Sequence, residues 1–438
     1  MRETHDLILP TGARHGEDNT EENKGLRLID SDCEGDQDYS LRLYTNGHEA
    51  FADMVEDFWH AQKSIDIQMY SLGNDSTARA LANALLAQKR FNPGVNVDVR
   101  IDRMGTFLDG CRKELLEHGS KLFTMLEAFF RLAQYDYFSM GRISGLQKDF
   151  SDFYRMGVDE QNEMDDFCRK FFTDERLFSL HPVARHLAQA GILKVGKALM
   201  TDMDHSKKVR IDGNILWTGG MNFVDASSGG FDFENGWHGK APEYHRDFMV
   251  RIDTSGKENG AEIVNGGRGH TDERQGIEER ALKNLFFLKN KGARRDIPEY
   301  SPLDKQLTNA VYRLIDQAKE EIRLEHAYVM DPTVIHKIRK KAHEGVGIRV
   351  TRGAPETPQL EMENEKGFSK IQGMSGVDVR RIGKKIHSKV MQVDKRFALI
   401  SSANLSRLSM EYTGESGVLI VGNEDFQARL GSAMDEVE

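Results

Sequence analysis

The stretch IHSKVMQVDKRFALISSANLS, residues 386–406, places a histidine two positions before a lysine, an aspartate five after the lysine and an asparagine ten after the aspartate. An earlier stretch, DHSKKVRIDGNILWTGGMNFV at residues 204–224, has the same residue types at the same intervals, 182 positions upstream. The repeated positions are His205, Lys207, Asp212 and Asn222 in the first copy, and His387, Lys389, Asp394 and Asn404 in the second. Identical spacing in two places indicates an internal duplication.

The sequence before each copy repeats as well. Residues 50–72 and 307–331 each have the pattern of an amphipathic helix followed by a strand, and residues 74–103 and 332–353 each predict a second helix and strand. Each motif itself has the pattern of two strands joined by a tight turn. The repeat therefore predicts an α/β fold made of two similar domains, each of which closes with one motif.

Composition along the chain suggests the domain boundaries. Residues 1–38 are polar and acidic, and we expect them to form a disordered tail. The first domain should cover residues 39–253, and the second residues 301–438. Residues 254–300 are rich in glycine and charge, which predicts a loop or linker between the two domains.

The first copy is longer than the second by roughly 70 residues, which we assign to an insertion at about residues 104–190. This segment holds 11 of the 23 phenylalanines, and its apolar residues are spaced as in helices. It could be a helical subdomain with its own small core, or an apolar wall beside the active site that handles acyl chains. The sequence leaves both interpretations open.

Bulk properties limit the class of protein. The formal net charge of −10 and pI of about 5.9 disfavour strong nonspecific binding to nucleic acid or anionic lipid. The three cysteines form neither a zinc pattern nor a disulfide framework, which favours a reducing compartment. We see neither a signal peptide nor an apolar run of membrane-spanning length, so we expect a cytoplasmic protein whose membrane contact is peripheral.

The repeated residues suit phosphoryl chemistry. In a strand, residues i and i+2 share a face, so the histidine and lysine of each motif should point the same way. Two facing motifs would offer two lysines and two asparagines as donors around a phosphate, and two histidines that divide the roles of nucleophile and general acid. A carboxylate could orient each histidine, and the candidates are Asp247 and Glu415.

Both motifs resemble the paired HxKxxxxD motifs of the phospholipase D superfamily, and the HRD sequence that ends at Asp247 is similar to its cardiolipin synthase branch. The resemblance implies two α-β-α sandwich domains with the active site at their interface, a phosphohistidine intermediate and no metal or other cofactor. It makes His205 the nucleophile and His387 the general acid, although the order could be reversed. One departure is Ser401, at a position where the family usually has glycine.

The same resemblance assigns the remaining roles. Lys207, Lys389, Asn222 and Asn404 would bind phosphate, while Asp247 and Glu415 would orient the histidines, in a pairing that the sequence leaves open. Asp212 and Asp394 complete the catalytic motifs and are expected to support their turns. Further candidates for the pocket wall are His326, Trp237, His238, Tyr70 and Tyr328, and the two tyrosines are expected at matching strand ends of the repeat.

Three functions are compatible with these features. The first is a phosphatidyltransferase similar to cardiolipin synthase, with hydrolysis of phospholipids to phosphatidic acid as a variant of the same chemistry. The second is a nuclease or nucleic-acid phosphodiesterase, which the acidic charge balance disfavours. The third is a noncatalytic protein with a relic site, which the intact motifs disfavour. We expect a phospholipid substrate and, because one chain holds both motifs, no need for an oligomer.

Overall fold

Two seven-stranded mixed sheets of the same topology form the framework of the protein. The computed structural model describes residues 39–102, 105, 182–195, 204–232, 234–240, 244–255, 285–291, 305–353 and 364–436. The strand order is β1-β9-β6-β5-β2-β3-β4 in the first sheet and β10-β16-β15-β14-β11-β12-β13 in the second. Each sheet has three parallel strands on one side and an antiparallel group on the other, so the second domain is a structural repeat of the first.

The first domain contains the strands β1 (Ser40–Tyr44), β2 (Ser64–Met69), β3 (Asn96–Ile101), β4 (Leu193–Val195), β5 (Lys208–Ile211), β6 (Ile215–Gly219) and β9 (Met249–Asp253). A small separate ribbon pairs β7 (Phe231–Asp232) with β8 (Gly236–Trp237). The helices are α1 (Gly47–His60), α2 (Ser76–Phe91), α3 (Pro182–Gln189) and α4 (Asp225–Ser228). The side chains of Asn46 and Asp75 accept hydrogen bonds from the first turns of α1 and α2, which fixes where these helices begin.

The second domain contains the strands β10 (Leu285–Asn290), β11 (Glu321–His326), β12 (Gly347–Arg352), β13 (Val377–Arg381), β14 (Lys389–Val393), β15 (Phe397–Ser401) and β16 (Glu415–Val421). Its helices are α5 (Gln306–Gln317), α6 (Pro332–His343) and α7 (Glu424–Asp435), with a short π-helical turn at Leu408–Tyr412. Asp331 caps α6, and Pro332 follows it in the first turn, where a proline costs no hydrogen bond.

Strand β10 corrects the predicted boundary between the domains. The segment 254–300 was predicted to be a loop or linker, but Leu285–Asn290 pairs antiparallel with β16 along its whole length. It occupies the edge position that β1 holds in the first sheet. The short apolar run LFFL follows glycine-rich and charged residues, so the composition of the whole segment did not indicate a strand.

The motif hairpins are built alike in both domains. Asp212 and Gly213 have positive φ angles of 53° and 77°, and Asp394 and Lys395 have 53° and 52°, the backbone of a two-residue turn that fits the twist of paired strands. The Asp212 carboxylate accepts hydrogen bonds from three consecutive backbone N–H groups at the start of β2, at 2.7–2.9 Å. Asp394 does the same at the start of β11, at 2.8–2.9 Å.

A third apolar core joins the two domains. Each domain has its own core, and a further cluster combines strand residues of both sheets, including Leu216 and Phe248 with Val390 and Ile400, under Phe426 of α7. Strands β14, β15 and β16 are consequently buried along their whole length, which explains their nearly continuous apolar sequences. This packing fixes the position of each motif relative to the other domain.

The predicted fold class, an α/β fold of two repeated domains, is confirmed. The predicted disordered tail at 1–38 and most of the predicted helical insertion at 104–190 lie outside the described residues, apart from α3 near its end. Of the helices that the structure describes, none combines the length and apolarity needed to cross a membrane.

Candidate active site

The two motif histidines lie where the domains meet, just before the first strand of each hairpin. The backbone N–H of His205 donates to the carbonyl of Gly414, which precedes β16 of the second domain, at 2.7 Å. The N–H of His387 donates to the carbonyl of Arg246, which precedes β9 of the first domain, at 2.9 Å. Each histidine is therefore attached to the segment of the other domain that carries a candidate carboxylate.

The first histidine–carboxylate pair, called here the first dyad, consists of His205 and Glu415. Nδ1 of His205 lies 3.1 and 3.0 Å from the two carboxylate oxygens, and both side chains are largely buried. Ser402 and Thr413 also donate to Glu415, at 2.5 and 2.9 Å. Burial opposes ionisation, but the hydrogen bond and charge of His205, with Lys207 and Ser402, lower the pKa of Glu415 to about 2.

Since an ionised carboxylate only accepts hydrogen bonds, Nδ1 of His205 must carry the proton of that bond. Nε2 is then the nitrogen available for chemistry at phosphorus. Burial lowers the pKa of His205, and Lys207 adds to this effect, although Glu415 opposes it. A neutral imidazole with its lone pair on Nε2 is the form that a nucleophile requires.

The second dyad consists of His387 and Asp247, with Nδ1 of His387 2.8 Å from a carboxylate oxygen. The other oxygen of Asp247 accepts from the backbone N–H of Phe248 at 2.8 Å. Burial raises the pKa of Asp247 to about 6, against the attraction of Lys389 and Lys207. The two carboxylates therefore sit in different electrostatic environments despite the similar geometry.

Both motif lysines are fully buried beside the dyads. The Lys207 ammonium donates to the carbonyl of His205 at 2.8 Å and lies 5.1 Å from the centre of the Tyr70 ring. The Lys389 ammonium donates to the carbonyl of His387. Burial lowers the pKa of Lys207 to about 7, with some compensation from Glu415. The amide oxygens of Asn222 and Asn404 are also buried, and neither has a hydrogen-bond partner among the described residues.

The candidate pocket residues separate into two groups. The Tyr70 ring meets the His205 ring edge-on, with centroids 4.5 Å apart, and His326 pairs in register with Lys389. Trp237 instead packs its ring against Phe51 and Phe231 at the edge of the first core, which identifies it as a packing residue.

Hydrogen bonds place Tyr328 through its backbone and His238 through its imidazole ring. The Tyr328 carbonyl accepts from Leu405, and Nδ1 of His238 accepts from the backbone N–H of Lys240. Tyr70 and Tyr328 also differ in register, because Leu72 and Val329 make the matching bridges to Phe223 and Leu405. The position that matches Tyr70 is thus Ala327, one residue before Tyr328.

The motif aspartates are placed away from the dyads. Asp212 and Asp394 lie in the turns, at the opposite ends of β5 and β14 from the histidines. Although they complete the motifs, their carboxylates hold backbone N–H groups rather than a catalytic side chain. The structure thus corrects their grouping with the catalytic residues and agrees with the expected support of the turns.

Sequence reasoning missed a buried ion pair behind the second dyad. Arg246 makes two hydrogen bonds to Glu325, at 2.8 and 3.2 Å, and Ser388 donates to the same carboxylate at 2.8 Å. Arg246 precedes Asp247 and Ser388 follows His387. This cluster therefore fixes the backbone next to both residues of the second dyad. The signal that could have revealed it is the charged Glu325 near the end of EIRLEH, a strand that the repeat predicts to lie within the sheet of the second domain.

Among the described residues, no cluster of three or more histidine, cysteine, aspartate or glutamate side chains is arranged to hold a metal ion. The groups described here are instead two imidazoles, two ammonium groups, two carboxamides and two carboxylates, drawn equally from the two domains. Such a set can bind a phosphate and move protons on both sides of it.

Comparisons with known proteins agree with this architecture. Residues 311–436 match the family model described as "Cardiolipin synthase, PLD-like domain". A cardiolipin synthase of Staphylococcus aureus is 36% identical over 93 residues, which are 21% of this chain and 18% of that protein. Cardiolipin synthase B of Shigella flexneri is 25% identical over 232 residues, 49% of this chain and 51% of that protein. The matches thus span about half or less of these relatives.

A solved structure extends the likeness to the whole fold. The crystal structure of phosphatidylserine synthase from Haemophilus influenzae Rd KW20 superposes with a TM-score of 0.55 over 90% of this chain and 85% of that one, at 14% identity. This likeness concerns the fold alone. The chain is thus similar in sequence to cardiolipin synthases over part of its length, and similar in fold to a phosphatidylserine synthase over most of it.

Proposed function

We propose that the protein is a phosphatidyltransferase of phospholipase D type, which acts on glycerophospholipids through a phosphohistidine intermediate in the manner of a cardiolipin synthase. The observation that carries the proposal is the pair of histidine–carboxylate hydrogen bonds formed across the domain interface, each beside a buried lysine. The relatives named cardiolipin synthase support a phospholipid as the substrate. Such a substrate would be reached by peripheral contact with a membrane surface.

In the first half-reaction, Nε2 of His205 attacks phosphorus and forms a nitrogen–phosphorus bond. The bond from phosphorus to the headgroup oxygen breaks, and His387 gives a proton to the departing alcohol. The ionised carboxylate of Glu415 compensates the positive charge that develops on the His205 ring. Lys207 and Lys389, with the amides of Asn222 and Asn404, bind the phosphate oxygens.

In the second half-reaction, an incoming alcohol or water gives its proton to His387 and attacks phosphorus. The nitrogen–phosphorus bond breaks, and His205 returns to its neutral form. Asp247 keeps the His387 ring oriented through Nδ1 in both steps, so proton exchange with the substrate falls to Nε2. Two in-line displacements retain the configuration at phosphorus, and a product of inverted configuration would contradict the covalent route.

The deciding experiment is product analysis by mass spectrometry. Purified protein is incubated with vesicles of phosphatidylglycerol and phosphatidylethanolamine, and the His205→Ala protein serves as control. Cardiolipin that depends on His205 is the expected result, and phosphatidic acid that depends on His205 would indicate hydrolysis by the same site. Unchanged lipids in both samples would contradict the proposal and direct the test to single-stranded DNA.

A further inference from the structure

His326, the last residue of β11, is a third buried imidazole near the two dyads. It is only 3% exposed, and its Nδ1 has no hydrogen-bond partner among the described residues. Its cross-strand partner is Lys389, so the two side chains lie on the same face of the second sheet. Burial, with a smaller contribution from the charge of Lys389, lowers the pKa of His326 to about 3, which keeps the ring neutral at neutral pH.

The first domain shows that the fold does not require an imidazole at this position. The equivalent last residue of β2 is Met69, which packs in the first apolar core. A buried polar atom without a partner is destabilising, because it has lost its hydrogen bonds to water and gained none in the protein. An apolar residue would avoid that cost, so His326 is better explained by a ligand that supplies the missing hydrogen bond than by packing.

The neutral ring also limits the chemistry of that ligand. One of its nitrogens accepts a hydrogen bond and the other donates one, which matches a hydroxyl group, since a hydroxyl does both. A phosphate oxygen is matched better by the neighbouring lysine. In-line displacement by His205 places the leaving or incoming alcohol on the side of His387, the side where β11 and β14 bring His326 beside Lys389.

We propose that His326 is a specificity-determining residue that binds a hydroxyl group of a polyol headgroup or acceptor, such as a glycerol moiety, beside its reacting oxygen. This inference rests on the proposed function. It extends that function by naming the class of alcohol that the site selects and the residue that selects it. The His205 side of the site, with Tyr70 against the nucleophile, lacks an equivalent imidazole at the matching strand position.

The test measures binding rather than turnover, by calorimetry on the full chain in the His205→Ala background. The probes are inorganic phosphate, glycerol 3-phosphate, which carries a polyol, and phosphocholine, whose alcohol part carries no hydroxyl group. We expect His326→Leu to weaken the binding of glycerol 3-phosphate at least tenfold, while the affinities for phosphate and phosphocholine change less than twofold. His326→Asn, which keeps a donor and an acceptor, should recover part of the lost affinity.

Two control variants make the result specific. Met69→Leu, at the matching position of the first domain, should leave the binding of all three probes within twofold, and Lys389→Met should weaken all three. The role of His326 would be overturned if His326→Leu lost the same affinity for every probe. It would also be overturned if the site with His326 bound both esters equally well. Either result would leave the proposed function standing. Absence of phosphate binding, even before His326 is changed, would contradict the proposed function and this inference together.

Discussion

The two dyads have the same geometry but different carboxylates. Glu415 receives hydrogen bonds from His205, Ser402 and Thr413, and its pKa lies at about 2. Asp247 accepts hydrogen bonds from His387 and from one backbone N–H. Its pKa lies at about 6, because these bonds and the nearby lysines compensate less of the effect of burial. One dyad thus keeps a permanent negative charge, whereas the other titrates close to neutral pH.

The small residues that end each hairpin explain part of this difference. Ser402 donates to Glu415, and the matching residue in the first hairpin is Gly220. A Cβ atom on Gly220 would lie only 2.1 Å from an Asp247 oxygen, so that position has no room for a hydroxyl donor. The duplicated halves have therefore diverged where they contact the two carboxylates, and the matching residues can no longer be exchanged.

This divergence fits a division of labour between the histidines. A permanently ionised Glu415 suits a nucleophile that becomes positively charged when it is bonded to phosphorus, which favours His205 for that role. A carboxylate that titrates near pH 6 suits a histidine that releases and accepts protons in alternate steps, which favours His387 as general acid and base. The predictions below test this comparison, from the largest effect to the smallest.

The histidines should differ most clearly with an activated substrate. With phosphatidylglycerol, His205→Ala and His387→Ala should each lower kcat by about 10⁴-fold or more. With a phosphatidyl ester of para-nitrophenol, whose leaving group departs without a proton, His387→Ala should recover most of the release rate. His205→Ala should stay inactive, because it lacks the nucleophile. The measurement is the initial release of nitrophenolate.

The opposite pattern, with activity rescued in His205→Ala, would reverse the two roles. Rescue in neither variant would show that both histidines are needed before the leaving group departs. Circular dichroism of both variants is the control for folding.

The carboxylates should show the same asymmetry at lower magnitude. Glu415→Gln and Asp247→Asn keep the shape of the side chain but remove its charge, and each should lower kcat by about 10²–10⁴-fold on phosphatidylglycerol. With the nitrophenyl ester, the rate of nitrophenolate release should recover in Asp247→Asn, because this variant impairs proton transfer. It should not recover in Glu415→Gln, because this variant leaves the charge on His205 uncompensated. Equal rescue of both variants would mean that the dyads are functionally equivalent.

The pH dependence of kcat/KM should be bell-shaped, with limbs near pH 6 and pH 7. As pH falls through about 6, Asp247 takes up a proton and can no longer accept from Nδ1 of His387, so the rate decreases. As pH rises through about 7, Lys207 loses its charge and the phosphate site weakens. Outside these limbs the rate should change about tenfold per pH unit.

Two variants test which group causes each limb of the pH profile. Asp247→Asn should remove the acidic limb from its residual activity, and Lys207→Arg should move the alkaline limb upward because guanidinium stays charged. An acidic limb that survives in Asp247→Asn would belong to another group. Glu415, with a pKa of about 2, should contribute no limb at these pH values.

The repeat made the fold and the main site residues predictable from sequence. Helix and strand patterns around residues 50–103 and 307–353 predicted the parallel units, and the motif spacing indicated the histidines and lysines. Asp247 and Glu415 were candidates because each lies downstream of a motif, just before an apolar run. The pairing of each carboxylate with a histidine was not predictable, because it depends on how the two sheets face each other. That relation arises from the third core, whose members are scattered along both domains.

Local context caused the other misses. Tyr328 and Tyr70 appeared equivalent because both are tyrosines at strand ends, but the bridges at Val329 and Leu72 show a shift of one residue. Trp237 lies close in sequence to the first motif, yet the nearby aromatic side chains draw its ring into the first core. Register and packing of this kind are decided by tertiary contacts, which residue type and spacing do not reveal.

The turn aspartates give the case in which the two halves should behave alike. Each carboxylate fixes three backbone N–H groups at the start of the neighbouring central strand, at the end of the hairpin away from the dyads. Asp212→Ala and Asp394→Ala should each lower the free energy of unfolding by about 1–3 kcal/mol, since charged acceptors of several hydrogen bonds are lost from partly exposed sites.

Activity separates this structural role from a catalytic one. Below the unfolding temperature, both variants should keep kcat within about threefold, because no dyad contact changes. Asn in place of either aspartate retains an acceptor and should recover part of the stability, as measured by urea unfolding. A loss of kcat comparable to that of Asp247→Asn in a folded protein would show that the turns transmit the position of β5 and β14 to the histidines. The identical part of the duplication would then be as important for catalysis as the part that has diverged.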